Sequence, residues 1–387
     1  MSAERTSNAR LVAPMDAYLR LYRNFIFGLF TFRIARVSFE RDDDNTVRAQ
    51  QGTAIRLVNP IDTRLTAARG ARATGPLARA LAPAVGLQDA LFHGAASVMG
   101  LLIVVLAALL VATMLERGID AFSAFGPTFV VTSTWNPVVG EFGVLPAIYG
   151  TIVSSMLSLV IAVPVGIGAA IFIVELVPRW VAEPVSFIIE MLAAIPSVII
   201  GLWGLYVVVP IVRQIEAFVG PRLSFIPLFT GPAYGIGLLA ASLVLAIMVL
   251  PILTAVTRDV LRAVPSSQRE GMLALGATRW ETITRVVLPF GRQGIAGAII
   301  LALGRALGET LAVSMVIGNQ FKISGSLFAP ATTLSSLIAT QFREADNPLY
   351  VSALIAAGFV LFCTTIVVNV IARLLVWRLS RVPGGRS

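Results

Sequence analysis

The chain has 387 residues, of which 57% are hydrophobic and only 13% charged, against about a quarter charged in a typical soluble domain. That composition excludes a water-soluble globular protein, and a formal charge of +9 without any nucleic-acid recognition motif points to anchoring beside anionic lipid, not to nucleic-acid binding. A single cysteine and a single histidine exclude an internal disulfide and a Cys/His metal or nucleophile pair, so no metal or cofactor is expected, and the apolar composition points to an all-α polytopic membrane protein.

Residues 1–89 carry thirteen arginines, no spanning run and no signal-peptide pattern, and read as a cytoplasmic extension. Within it, residues 16–37 have an apolar centre between Arg23 and Arg33 that is too short to cross a bilayer. A helix lying in the headgroup region and a helix packed on the protein's own cytoplasmic surface both fit. The polar run RDDDNTVRAQQG after it reads as a linker.

Residues 90–380 form the expected transmembrane domain. Apolar runs of spanning length fall near 91–115, 147–175, 185–212, 233–257, 291–318 and 349–377, which makes six spans. Pro164, Pro196, Pro210 and Pro251 predict tilts and kinks. His93 begins the first span and Cys363 lies in the last, both expected to serve packing or interfacial roles. On one side of the membrane the connections hold Arg117, Arg213, Arg222, Lys322 and Arg343. On the other lie Arg179, six arginines between Arg258 and Arg292, and a basic tail, so the positive-inside bias puts both termini in the cytoplasm.

The first outer connection, 116–146, has turn signals around Trp135, Asn136 and Pro137. A re-entrant turn and an ordinary packed loop both fit it. The only lysine, Lys322, is followed by Ile323, so a phosphate-binding loop ending in Gly-Lys-Ser or Gly-Lys-Thr is excluded. The protein is expected not to be an enzyme and not to hydrolyse ATP itself.

The inner connection 263–290 places Glu270, Gly276, Leu288 and Pro289 at intervals that resemble the EAA loop of ABC-importer permeases. Gly271 and Met272 stand for its two alanines and Val286 for its isoleucine. In that family the loop forms a short coupling helix seated on the ATPase subunit. Leu273, Ala277, Trp280 and Thr284 recur at near-helical spacing and offer an apolar docking face, with Arg279 and Glu281 as polar contacts around it. An amphipathic surface helix without a partner is the alternative.

The fifth span carries GRALGETLAV. Arg305 and Glu309 are expected on one helical face, and each costs about 2.5 to 3.5 kcal/mol at a bilayer centre. Pairing with each other in the less favoured base-before-acid order returns little of that, so the spacing favours a pair facing a translocation path. A purely structural pair is the alternative. Thr310 and Ser314 lie beside that face, although hydroxyls in membrane helices more often bond backbone.

Together with STWNPVVGEFGVLPAIYGT, these motifs make residues 90–380 similar to the C-type permease subunits of phosphate-specific (Pst) ABC importers. The resemblance implies a second, related permease, two copies of an ATP-binding subunit, a periplasmic phosphate-binding protein and an inner-membrane location. It also implies that Arg305 and Glu309 act in phosphate passage. A carboxylate there would accept a hydrogen bond from phosphate, which keeps a proton near neutral pH, and would repel sulfate, which does not. The rival readings are a permease for sulfate, molybdate or phosphonate, an ion-driven secondary transporter, and an intramembrane enzyme. No convincing inverted repeat supports the second, and the third lacks an HExxH pair, a GxSxG elbow or paired membrane aspartates.

Overall fold

The structure is a computed structural model that describes residues 76–380. The segment expected at 16–37 and the linker after it lie outside the described residues. By contacts the chain divides into Met1–Met99 and Gly100–Ser387. The described part of the first unit is helical and begins α1 (Pro76–Phe125).

After α1 come a short helix α2 (Thr128–Val131) and a two-stranded antiparallel hairpin, β1 (Trp135–Asn136) and β2 (Glu141–Phe142), with Trp135 opposite Phe142. The first outer connection is therefore a hairpin resting on packed aromatic residues. Asn136 Oδ1 accepts the Val138 N–H at 3.1 Å, Gly140 turns at φ +76°, and Trp135 packs against Phe142 and Tyr350.

Six helical stretches have the length and apolarity to cross a membrane: Leu91–Phe125, Leu145–Leu176, Ser197–Arg222, Leu238–Arg262, Arg279–Leu307 and Pro348–Arg378. The expected number of spans holds, but the third shifts. The run expected at 185–212 is broken, because α4 (Arg179–Ala193) ends before Pro196 and the span starts anew with α5 (Ser197–Trp203) and continues through α6 (Val209–Arg222). The residue before a proline disfavours the helical region, and Pro196 itself sits extended at ψ 137°.

Three single turns of π-helix occur among the described residues, at Phe172–Leu176, Gly204–Val208 and Ile283–Val287. Each ends two residues before a proline: Pro178, Pro210 and Pro289. Pro210 and Pro289 sit at the start of the helix that continues each of the last two turns, where a proline ring crowds the carbonyl four residues back and supplies no N–H for it, and a wider turn relieves both problems. Pro178 lies outside the helix, after Val177 has turned extended.

The core centres on α7 (Leu238–Arg262), the span with the largest share buried, 61% of its apolar window. It packs against α3 (Leu145–Ile171) and α10 (Leu288–Leu307). Small residues line these contacts, among them Ala162, Ala241, Ala298 and Ala302, and they let membrane helices approach closely. Between α7 and α10 run α8 (Ser266–Ala274) and α9 (Arg279–Thr282). The fifth span does not continue to Gly318 as expected: α10 ends at Leu307, and a separate helix α11 (Leu311–Val316) comes after a break at Gly308, Glu309 and Thr310. A short helix α12 (Leu334–Gln341) then leads to the last span, α13 (Pro348–Ser380).

Candidate functional site

Two polar regions stand out. One is the break between α10 and α11. In an uninterrupted helix the Glu309 carbonyl would accept from the N–H of Val313, and the Ala312 N–H would donate to the carbonyl of Gly308. Side chains take over both roles. Ser335 Oγ donates to the Glu309 carbonyl at 2.8 Å, and the Glu309 carboxylate Oε1 accepts the Ala312 N–H at 3.3 Å. These substitutes satisfy the backbone groups that a helix interruption would otherwise leave unpaired in an apolar setting.

The break opens onto a cavity of about 1020 Å³ lined by Arg305, Glu309, Asn369 and Arg373, among apolar residues of α7, α10 and α13. Arg305 is exposed, whereas Glu309 is only 9% exposed. No ion pair joins them among the described residues. The sequence expectation of one unbroken helical face is thus replaced by a different arrangement: Arg305 lies on the last turn of α10, Glu309 lies beyond its end, and both face the same cavity. Thr310 and Ser314 do not line it; their hydroxyls bond the carbonyls of Gly308 and Leu311.

Asn369 and Arg373 were not singled out from sequence. A polar Asn369 inside the apolar run of the last span was a usable signal. Arg373 read as part of the basic tail, and only the fold brings it to Arg305. The chemistry of the set is clear. Two guanidinium groups present planar forks of donors suited to an oxyanion, and one carboxylate accepts hydrogen bonds but, when ionised, donates none.

The second region is the turn between α8 and α9. Gly276 adopts φ +82°, and its N–H and that of Ala277 bond the carbonyls of Leu273 and Met272 at 3.0 and 3.1 Å. This is a Schellman ending, in which an L side chain at the glycine is strained even though the space around it is open. Two residues on, Thr278 caps α9 reciprocally with Glu281. The result is a rigid corner that presents Leu273, Leu275 and Trp280 outward, at 47%, 85% and 68% exposure. Glu270 and Pro289 are also exposed, whereas Ala277 and Leu288 are half-buried.

The corner is tied down by Arg269. Its guanidinium bonds Glu175 Oε1 at 3.0 and 3.1 Å and the Leu261 carbonyl at 2.7 Å. Nearby, Arg258 pairs with Glu190 at 3.1 Å and Asp259 at 2.9 Å. Sequence reading did not select Glu175 or Arg269 as partners, since ninety-four positions separate them and no local pattern links them.

Comparison with known proteins adds to this geometry. Residues 162–381 match the family described as binding-protein-dependent transport system inner membrane component. The chain is 45% identical over 303 residues to a phosphate transport system permease protein PstC of Mesorhizobium japonicum, covering 77% of this chain and 93% of that one. Similar proteins of the same name occur in Xylella fastidiosa, 47% identical with 70% and 85% covered, and in Pasteurella multocida, 48% identical with 68% and 84% covered. Among solved structures, a bacterial alginate ABC transporter in complex with an alginate pentasaccharide-bound periplasmic protein has a chain of similar fold. It is 19% identical, with a TM-score of 0.53 over 77% of this chain and 99% of that one.

Proposed function

The chain belongs to the family of binding-protein-dependent transport system inner membrane components, and on that premise we propose how its two polar regions move an anion. It is the multi-pass permease subunit of an ABC importer for inorganic phosphate. Residues 90–380 are its permease domain and 1–89 a cytoplasmic extension, with both termini in the cytoplasm. A second, related permease completes the path. Two copies of an ATP-binding subunit sit below, and an extracytoplasmic phosphate-binding protein delivers cargo from above.

In this reading the corner at Gly276 seats on the ATP-binding subunit through Leu273, Leu275 and Trp280. Nucleotide-driven closure of that subunit pair pushes the corner, and Arg269 carries the displacement to the end of the second span at Glu175. The rigid Schellman and capping-box bonds suit a lever, because they pass on motion without absorbing it.

Passage itself takes place at the cavity. Arg305 and Arg373 offset the desolvation of the anion with charge-assisted hydrogen bonds. Glu309 accepts a hydrogen bond from a protonated phosphate oxygen and repels an anion without a proton, so discrimination rests on a repulsive element. The observation that carries this reading is the single cavity shared by Arg305, Arg373 and a buried Glu309 that no arginine neutralises among the described residues.

Glu309→Gln tests it. The amide keeps the shape and removes the charge, so the ratio of phosphate to sulfate uptake is expected to fall about tenfold, equivalent to about 1.4 kcal/mol. An unchanged ratio would refute the role given to Glu309.

A further inference from the structure

Asn319 is the only non-glycine residue at positive φ among the described residues, at φ +51° and directly after Gly318 at φ +89°. Asparagine tolerates this region better than most residues, yet it remains uncommon there. Its side chain explains why it is held so. Nδ2 donates to the Ser314 carbonyl at 2.8 Å, and Oδ1 accepts from the Ser336 hydroxyl. Ser336 belongs to the first turn of α12, whose N-cap Thr333 accepts the Ser336 N–H at 3.1 Å and bonds the Ser335 hydroxyl at 3.2 Å.

The same turn therefore reaches both sides of α11. Through Ser335 it holds the Glu309 carbonyl just before the helix, and through Ser336 and Asn319 it holds the Ser314 carbonyl inside it. The turn is itself fixed to α3. The Leu334 N–H donates to Thr151 Oγ1 at 2.9 Å, and the Thr332 carbonyl lies where a Cβ on Gly150 would sit, at 1.9 Å. Side chains of Thr333, Ser335 and Ser336 are all buried, so their bonds do not exchange freely with water.

We propose that Asn319 and Ser335 form a latch by which the first turn of α12 sets where Glu309 stands in the cavity, making both of them positioning residues for anion discrimination. The proposal rests on the role of Glu309 given above. Neither residue touches the anion. Ser335 holds the break itself and Asn319 the helix that follows it, and together they set the carboxylate.

The test is phosphate and sulfate uptake by the complete importer in proteoliposomes, with wild type, Asn319→Gly, Ser335→Ala and the double variant. Glycine at 319 accepts the backbone conformation and removes only the side-chain bonds. A ratio of two uptake rates does not depend on how much complex assembles, so a merely structural defect leaves it unmoved. Asn319→Gly and Ser335→Ala are each expected to lower the phosphate-to-sulfate ratio about tenfold, and the double variant no more than about tenfold, because both release one device. A wild-type ratio in Asn319→Gly, or a double variant whose loss multiplies to about a hundredfold, would overturn the latch. If Ser335→Ala does not assemble, Asn319→Gly decides alone. A wild-type complex that takes up sulfate as readily as phosphate would instead sink the reading of Glu309 itself.

Discussion

In the proposed mechanism Gly276 acts through its backbone. Nothing lies within 4 Å of an added Cβ there, so the constraint is the positive φ and not crowding within the chain. A β-branched residue in that conformation costs about 1 to 2 kcal/mol. Gly276→Val is therefore expected to distort the corner that carries Leu275 and Trp280 and to abolish coupled uptake, with Gly276→Ala milder. Co-purification of the ATP-binding subunit with each variant measures this, and normal coupled uptake by Gly276→Val would contradict it. Glu309 shows the complementary case. Its spacing from Arg305 was legible in the sequence, but the break that separates them was not, because the hydroxyl that bonds the freed carbonyl, Ser335, lies twenty-six positions away.

At the scale of elements, prolines divide this chain more finely than its hydrophobicity does. The mostly apolar run near 185–212 hides two helices because Pro196 stops one and starts the next, while the residues on either side of it stay apolar enough to read as one span. The span Pro348–Arg378 was legible to within one residue at each end, and Leu238–Arg262, which Pro251 does not break, was displaced by five at each end. The hairpin at Trp135 was visible only as a turn, since strands of two residues are too short to show alternation. Ion pairs across elements left no trace in sequence at all. For Arg269 and Glu175, side chains 21% and 13% exposed, removing one partner leaves the other poorly solvated and costs about 3 kcal/mol. Arg269→Ala and Glu175→Gln are each expected to loosen the corner and lower ATP-coupled uptake, while the swap Arg269→Glu with Glu175→Arg recovers part of it. Uptake per assembled complex checks this, and full activity in either single variant would contradict the link.

Across the whole molecule the polar groups obey the demands of lipid. Many large apolar side chains are exposed on the spanning helices, Leu109, Val160, Ile211 and Ile366 among them, as expected for helices that face hydrocarbon. Among the described residues, polar side chains gather at the corner at Gly276, the cavity at Arg305 and the hydroxyl turn of α12, while buried serines on α3 and α7, such as Ser154, Ser158 and Ser242, bond carbonyls of their own helix. Along the chain α10 leads from the corner to the break at the cavity, and α12 bonds that break through Ser335. In the proposed mechanism the energy enters at the corner and the cargo is selected at the cavity, so the helix that joins them carries the coupling.

The central claim is that this chain passes phosphate only when a partner hydrolyses ATP. It is tested most directly by measuring labelled phosphate accumulation in proteoliposomes that hold the permease pair and the loaded binding protein, with either an active or a hydrolysis-deficient ATP-binding subunit. Accumulation against a gradient is predicted with the active subunit alone. Equal accumulation with the hydrolysis-deficient subunit would contradict it.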